Sequence, residues 1–236
     1  MKVMKPNEIV VQNFLSFYKL YRNNAFRKIK EFLSNQKEIF YENKISELQN
    51  NGLSKEEAVI KTRQGWVSVV GRSLEQIIEI IICDFCNKHK LKITNDKILK
   101  SKNLDEELNL VKRAILVDFG ENCVLPDGDI IIYKIVEKRV KILAILSIKN
   151  SFRERYTETP YWKLKLAENN LTKDIKVFMI TPDNDDEISF LGVNPKKSRI
   201  VMEYELDGIY LAKENFDESD KIKSIDKLID DLGKLL

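Results

Sequence analysis

Two short runs near the middle of the chain bring together residue types that could hydrolyse a phosphodiester. Pro126-Asp127-Gly128-Asp129 opens an apolar run, Ile130-Ile131-Ile132-Tyr133. After a charged turn a second apolar run, Ile142 to Leu146, ends in Ser147-Ile148-Lys149. Adjacent strands can carry an acid from the first run and a lysine from the second to one point. Mg²⁺ held there by carboxylates would polarise a phosphodiester, and the lysine would position and activate the attacking water. Asp127 and Asp129 are two apart and share a face of an extended chain, so either could be the metal ligand. Asp127 is favoured because it follows the proline; Asp129 directly precedes the apolar run. Taken singly, Pro126-Asp127 is an ordinary turn and Lys149 a solvated strand end. Their conjunction across a hairpin is what points to chemistry.

One carboxylate seldom holds Mg²⁺ well, and the position two before Lys149 is Ser147, not an acid. Ser147 is expected to support the metal or phosphate shell. The second acid expected is Glu75, in Gly71-Arg72-Ser73-Leu74-Glu75, where a carboxylate among Leu74, Ile77 and Ile78 would be costly to bury without a cation. Glu79, one helical turn on, is the second choice and Glu158 the third. The plainer reading of Glu75 is the exposed face of an amphipathic helix.

The segment Lys149-Asn150-Ser151-Phe152-Arg153-Glu154-Arg155-Tyr156-Thr157-Glu158 follows at once. Arginine forks suit guanine or phosphate, and a carboxylate can accept from cytosine. Arg153, Glu154 and Arg155 would therefore sit in the groove beside the scissile bond. Tyr156, Tyr161, Trp162, Lys163 and Lys165 add an aromatic and basic surface able to touch backbone. Its bland counterpart is a helix start with salt-bridged charges.

The elements that must position these groups divide the chain in two. The first half reads as helical. Phe14, Phe17, Tyr18 and Tyr21 fall at helical spacing, continued by Phe26, Ile29 and Phe32. Ser54 and Glu57 form a capping box before a short helix through Arg63. The strongest helix spans 67–85, and another covers 105–116. The second half offers strands at 129–136, 140–148, 175–180, 199–204 and 208–212, with Glu137-Lys138-Arg139 as a hairpin turn. A helix near 160–170 makes the connection between the second and third strands a right-handed parallel crossover. The tail from Lys221 ends in a helix with Ile222, Ile225, Leu228, Ile229, Leu232 and Leu235 on one side. The expected architecture is a mixed-sheet α/β core with a largely helical N-terminal half, residues 1–66 forming the helical region and 67–236 the core, in one compact domain.

Composition bounds the rest. With 236 residues the chain can bury a real core, and a net charge of +3 with a third of the residues charged requires any basic surface to be local. Neither a secretory leader pattern nor a membrane-length apolar run is visible, so a soluble, cytoplasmic protein is expected. Cys83, Cys86 and Cys123 make no disulfide framework. Cys83-Asp84-Phe85-Cys86 has no second pair, and His89 is the single histidine, whereas structural zinc wants four ligands. The pair reads as two small apolar residues in a helix.

At Pro126-Asp127 and Ser147-Ile148-Lys149 the chain resembles the PD-(D/E)xK nuclease superfamily, and specifically type II restriction endonucleases in which serine replaces the acid of the second motif. The run from Lys149 to Tyr156 resembles enzymes that recognise CCGG or CC-x-GG cores, which would assign base readout to Arg153, Glu154 and Arg155. Gly71 through Glu75 resembles the N-terminal helix that supplies a metal-binding glutamate in many of these enzymes. One departure is that relatives often place another glutamate some fourteen residues beyond the lysine, where this chain has Lys163. The resemblance, covering about residues 70–165, implies a restriction-endonuclease-like core. The implied protein is a Mg²⁺-dependent, site-specific endodeoxyribonuclease acting as a homodimer on palindromic duplex DNA, with a cognate DNA methyltransferase as a functional partner and not a subunit. The alternatives are a structure-specific or repair nuclease of the same fold, a non-catalytic DNA-binding protein, and an α/β protein with no nucleic-acid role.

Overall fold

The computed structural model describes residues 4–151 and 155–236. Four helices precede the sheet: α1 (Pro6–Tyr21), α2 (Asn24–Arg27), α3 (Ile29–Asn50) and α4 (Lys55–Lys88). The Ser54–Glu57 capping box forms as expected, Ser54 Oγ accepting from the Glu57 amide at 3.2 Å while Glu57 accepts from the Ser54 amide at 3.1 Å. It starts one helix of 34 residues, not the two separate helices that the sequence suggested. Gly65 lies in the join without breaking it, and a Cβ there would only reach ordinary contact with Phe40 of α3. The boundary expected at residue 66 thus falls inside α4.

The chain then runs through β1 (Lys92–Thr94), α5 (Asp96–Leu99), α6 (Glu106–Ile115), β2 (Val117–Phe119), β3 (Asn122–Val124), β4 (Ile130–Val136) and β5 (Arg139–Ile148). After these come α7 (Glu158–Ala167), β6 (Lys176–Thr181), α8 (Lys197–Glu205), β7 (Gly208–Leu211), β8 (Ile222–Ser224) and α9 (Leu228–Gly233). The main sheet has the order β1-β4-β5-β6-β7-β8, and β2 with β3 forms a separate hairpin. β1, β4 and β5 pair antiparallel. β5 to β8 run parallel, α7 bridging the first crossover as expected.

Alternation along the strands explains the layering. Ile130 and Ile132 of β4 face a core built with Phe14, Phe32, Leu74, Ile77 and Ile78 of the N-terminal helices. Ile131 and Tyr133 face a second core with Val111, Ile115, Leu166 and Met202. The sheet is buried on both faces, which is why these strands read as unbroken apolar runs. A register shift at Ile132/Tyr133 bends the β4–β5 hairpin. Glu137 and Lys138 close it with φ of 47° and 63°, the handedness that two-residue hairpins favour.

Two expected elements differ. Residues 199–204 are not a strand: they lie within α8, whose buried set Ser198, Arg199 and Met202 falls at helical spacing. The tail ends in a helix, α9, as expected, but Ile222 is not part of it: Ile222–Ser224 first adds an edge strand to β7, with Ile222 and Ser224 turned inward. Among the described residues no helix is long and apolar enough to cross a membrane.

Candidate active site

The start of β4 and the end of β5 lie side by side, because antiparallel pairing sets Ile130 opposite Leu146. Asp129 continues this ladder twice: its amide donates to the Leu146 carbonyl at 3.1 Å, and its Oδ2 accepts from the Ile148 amide at 2.7 Å. With its amide in the ladder and its carboxylate bonded to a backbone amide, Asp129 cannot swing freely. Lys149, whose own amide donates to the Ile180 carbonyl at 3.0 Å, brings Nζ to 3.7 Å from the same Oδ2. The Asp129 side chain is 15% exposed and Lys149 24%. Among the described residues Asp129 Oδ1 has no hydrogen-bond partner.

Gly128 makes this approach possible. A Cβ there would stand 2.9 Å from Ile145 Cγ2 and 3.2 Å from Ile131 Cγ1, so any side chain would push β4 off β5. Its carbonyl accepts the Asp96 amide at 3.0 Å, tying α5 to the same corner.

Asp127, favoured from the sequence, turns elsewhere. Its carboxylate accepts from Lys100 Nζ at 3.3 Å and from Trp162 Nε1 at 3.4 Å, and its side chain is 46% exposed. The geometry pairs Lys149 with Asp129, because Asp127 lies before the ladder begins and faces α5 and α7. Ser147 is buried, its hydroxyl 2.9 Å from that of Thr159 in the first turn of α7. It joins strand to helix two residues before Lys149.

Glu75 projects from α4 and accepts from Lys97 Nζ at 2.9 and 2.8 Å. Lys97 is the link to the strand corner. Burial alone would lower its ammonium pKa, but the Glu75 bonds, helped by the charges of Asp129 and Asp96, raise it. Glu79 is half-buried and its carboxyl is pushed up, first by that burial and then by Glu75, with Lys97 opposing. Lys100 is raised chiefly by its 2.5 Å bond to Asp96. Lys97, Lys100 and Asp96 were missed by sequence reasoning: they ride on a one-turn helix that carries no periodic signal, and only the fold brings it under Glu75. Glu158 is the first residue of α7.

Arg153 and Glu154 lie outside the described residues. Arg155 is exposed, and Tyr156 is half-buried against the second core. Tyr161 is exposed beside Trp162, with ring centroids 5.2 Å apart. Lys163 does not reach the surface as a free cation: it bonds Asp207 at 2.6 Å and the Ile175 carbonyl at 3.3 Å, and its side chain is 14% exposed. Lys165 pairs with Glu168 at 2.8 Å.

Among the described residues no three acidic, histidine or cysteine side chains converge as a ready-made metal cage. A Mg²⁺ ion keeps several waters and takes one or two carboxylates plus substrate phosphate, so it needs no such cage. Asp129, anchored through one oxygen with the other unengaged among the described residues, fits such a donor set.

A backbone-fixed acid and a lysine thus stand together at adjoining strand ends of a sheet buried on both faces. Comparison with known proteins gives the chain a family. The model for "BsaWI restriction endonuclease type 2" matches residues 107–231. A Methanocaldococcus jannaschii protein bearing the name type II restriction enzyme MjaVIP is 47% identical over 206 residues, 86% of this chain and 91% of its own. A Helicobacter pylori protein bearing the name type II restriction enzyme HpyAORF263P is 53% identical over 183 residues, 78% of this chain and 93% of its own. A solved complex of pre-specific restriction endonuclease BsaWI with DNA aligns over 98% of this chain and 91% of its own at 12% identity and a TM-score of 0.45, too slight a likeness to carry an argument. The chain belongs to the BsaWI family of type II restriction endonucleases, and its activity class is that of a site-specific deoxyribonuclease.

Proposed function

We propose that this enzyme cuts both strands of a palindromic duplex as a homodimer, with Mg²⁺ as cofactor and with Asp129 and Lys149 at the centre of the site. A twofold protein on a twofold site accounts for double-strand cleavage by one small chain. The observation that carries the reading is Asp129 Oδ2, pinned 2.7 Å from the Ile148 amide with Lys149 Nζ 3.7 Å away. Asp129 would hold the divalent ion, with Glu75 as second acid once Lys97 is displaced, and Asp127 at the rim. The ion would supply Lewis-acid charge to the scissile phosphate. Lys149, with three donors on one nitrogen, orients the attacking water and offsets charge gathering on the phosphate. Ser147 keeps β5 and α7 in register beneath it.

Arg153, Glu154 and Arg155 follow Lys149 and carry side-chain types that read guanine and cytosine, and the resemblance of this run to enzymes of that group implies a CCGG or CC-x-GG core. Tyr156 would brace that segment from the core side. A methyltransferase acting on the same site is the expected functional partner.

The test is digestion of mixed unmethylated duplex DNAs with Mg²⁺, beside EDTA and Lys149→Ala controls. Discrete fragments that vanish in both controls are expected. A smear would favour a repair nuclease, and no cutting even with Mn²⁺ would sink the catalytic reading.

A further inference from the structure

The loop that follows β6 grips the chain just beyond Lys149. Asn184 Nδ2 donates both to the Asn150 carbonyl and to Asn150 Oδ1, each at 3.0 Å. Ser151 Oγ donates to the Asp185 carboxylate. Two consecutive residues of one loop thus hold the two residues that follow Lys149 and lead into the segment 152–158.

That loop is itself unusually determined. Asp183 and Asp186 adopt left-handed φ of 44° and 50°, conformations uncommon for L-residues though more accessible to aspartate than to most. The Asp183 carboxylate is buried and accepts from the Glu187 amide, the Ile188 amide and Ser189 Oγ at 2.9, 3.1 and 2.5 Å. Asp186 is clamped by Lys213, from the end of β7, and by Lys30 of α3 at 3.3 Å. Lys30 also donates to the Asp183 carbonyl at 3.2 Å. The loop is therefore held from two directions, by the first half of the chain and by the strand beyond.

We infer that Asn184 is a positioning residue for the reaction: it fixes the Asn150 peptide and, through it, the aim of Lys149 and the direction in which the chain leaves Ser151. The inference rests on the proposed role of Lys149. Asn184 is exposed, so its two bonds contribute little to the core. Their consequence falls on geometry, to which cleavage is far more sensitive than folding.

Asn184→Asp keeps the shape and turns the donor into an acceptor facing two acceptors; Asn184→Ala removes the grip without repulsion. Single-turnover cleavage with Mg²⁺ is measured for both, together with DNA affinity in Ca²⁺ and the cleavage ratio between the cognate site and a one-base variant. The expected result is a fall in cleavage rate of about tenfold or more, greater for Asn184→Asp. Affinity stays within about threefold, the cognate-to-variant ratio drops, and the melting temperature is unchanged. Wild-type rates and ratio would overturn the inference. So would affinity lost in parallel with rate, which marks a direct DNA contact, or a rate loss that tracks melting temperature, which marks a merely structural role. Lys149→Ala is run beside them: if it still cuts, the reading of Lys149 fails, whereas a dead Lys149→Ala with wild-type Asn184 variants defeats only this inference.

Discussion

Acids and lysines gather at both ends of the central strands, and they are handled in opposite ways. At the start of β6, Asp207 takes Lys163 at 2.6 Å, Lys176 at 3.1 Å and the Val177 amide at 2.9 Å. Burial works against its charge, yet these bonds hold its carboxyl below the usual range. At the other end, Lys149 approaches Asp129 only to 3.7 Å and Lys100 reaches Asp127 only to 3.3 Å, in partly exposed positions. Identical residue types are therefore closely bonded around Asp207, whereas Asp129 and Asp127 keep capacity for a further partner, the end at which we propose the chemistry. Lys163 shows how position decides: a lysine fourteen residues beyond Lys149 belongs to the closed end, not to the open one.

Asp207→Ala should expose the difference most strongly. It strands a largely buried lysine, and stability should fall by about 3 kcal/mol or more in urea denaturation, while the cleavage rate of the remaining folded enzyme stays near wild type. A comparable loss of rate at full folding would mean that the closed end takes part in the reaction.

Acid should discriminate next. Burial alone would raise the Asp231 carboxyl, but bonds from Lys223, Lys234 and Tyr210 hold it at about 2. A depressed pKa gives stability that is present above the unfolded value near 4 and lost as pH falls towards 2. Its share is on the order of 2 kcal/mol. Thermal unfolding of Asp231→Asn should accordingly show a flatter stability profile than wild type between about pH 4 and 2, and an equal slope in both proteins would remove this latch from the account.

Gly128→Ala sharpens the open end. The added methyl meets Ile145 at 2.9 Å, so a loss of about 1–2 kcal/mol is expected from overpacking. Because Asp129 is the next residue, cleavage should fall by more than that destabilisation explains. Unchanged turnover would show that the Asp129–Lys149 spacing is slack.

The strands of this end were legible in the sequence for a physical reason. Strands buried on both faces must be apolar throughout, so β4 and β5 stood out, and with them the charged residues at their ends, Asp127, Asp129 and Lys149. The choice of Asp127 over Asp129 was not legible, because parity puts both on one face and only the position of the first ladder bond separates them. Glu75 was singled out for its apolar surroundings, but its pairing with Lys97 was invisible: the two are 22 residues apart across a strand pairing that no local pattern encodes. The misreading of α8 has a similar origin. Arg199 occupies an inward position, donating to the Ile188 and Asp217 carbonyls, so the buried stripe included a charge and looked like a strand.

The central claim is that Asp129, and not Asp127, is the acid that works with Lys149. Single-turnover cleavage of a cognate duplex in Mg²⁺ by Asp129→Asn and Asp127→Asn tests it directly, with circular dichroism to confirm folding. The expected outcome is a loss of about three orders of magnitude for Asp129→Asn, the scale of several kcal/mol of charge stabilisation, and less than about tenfold for Asp127→Asn. The reverse order, or equal losses, would contradict the account and return the metal to the residue after the proline.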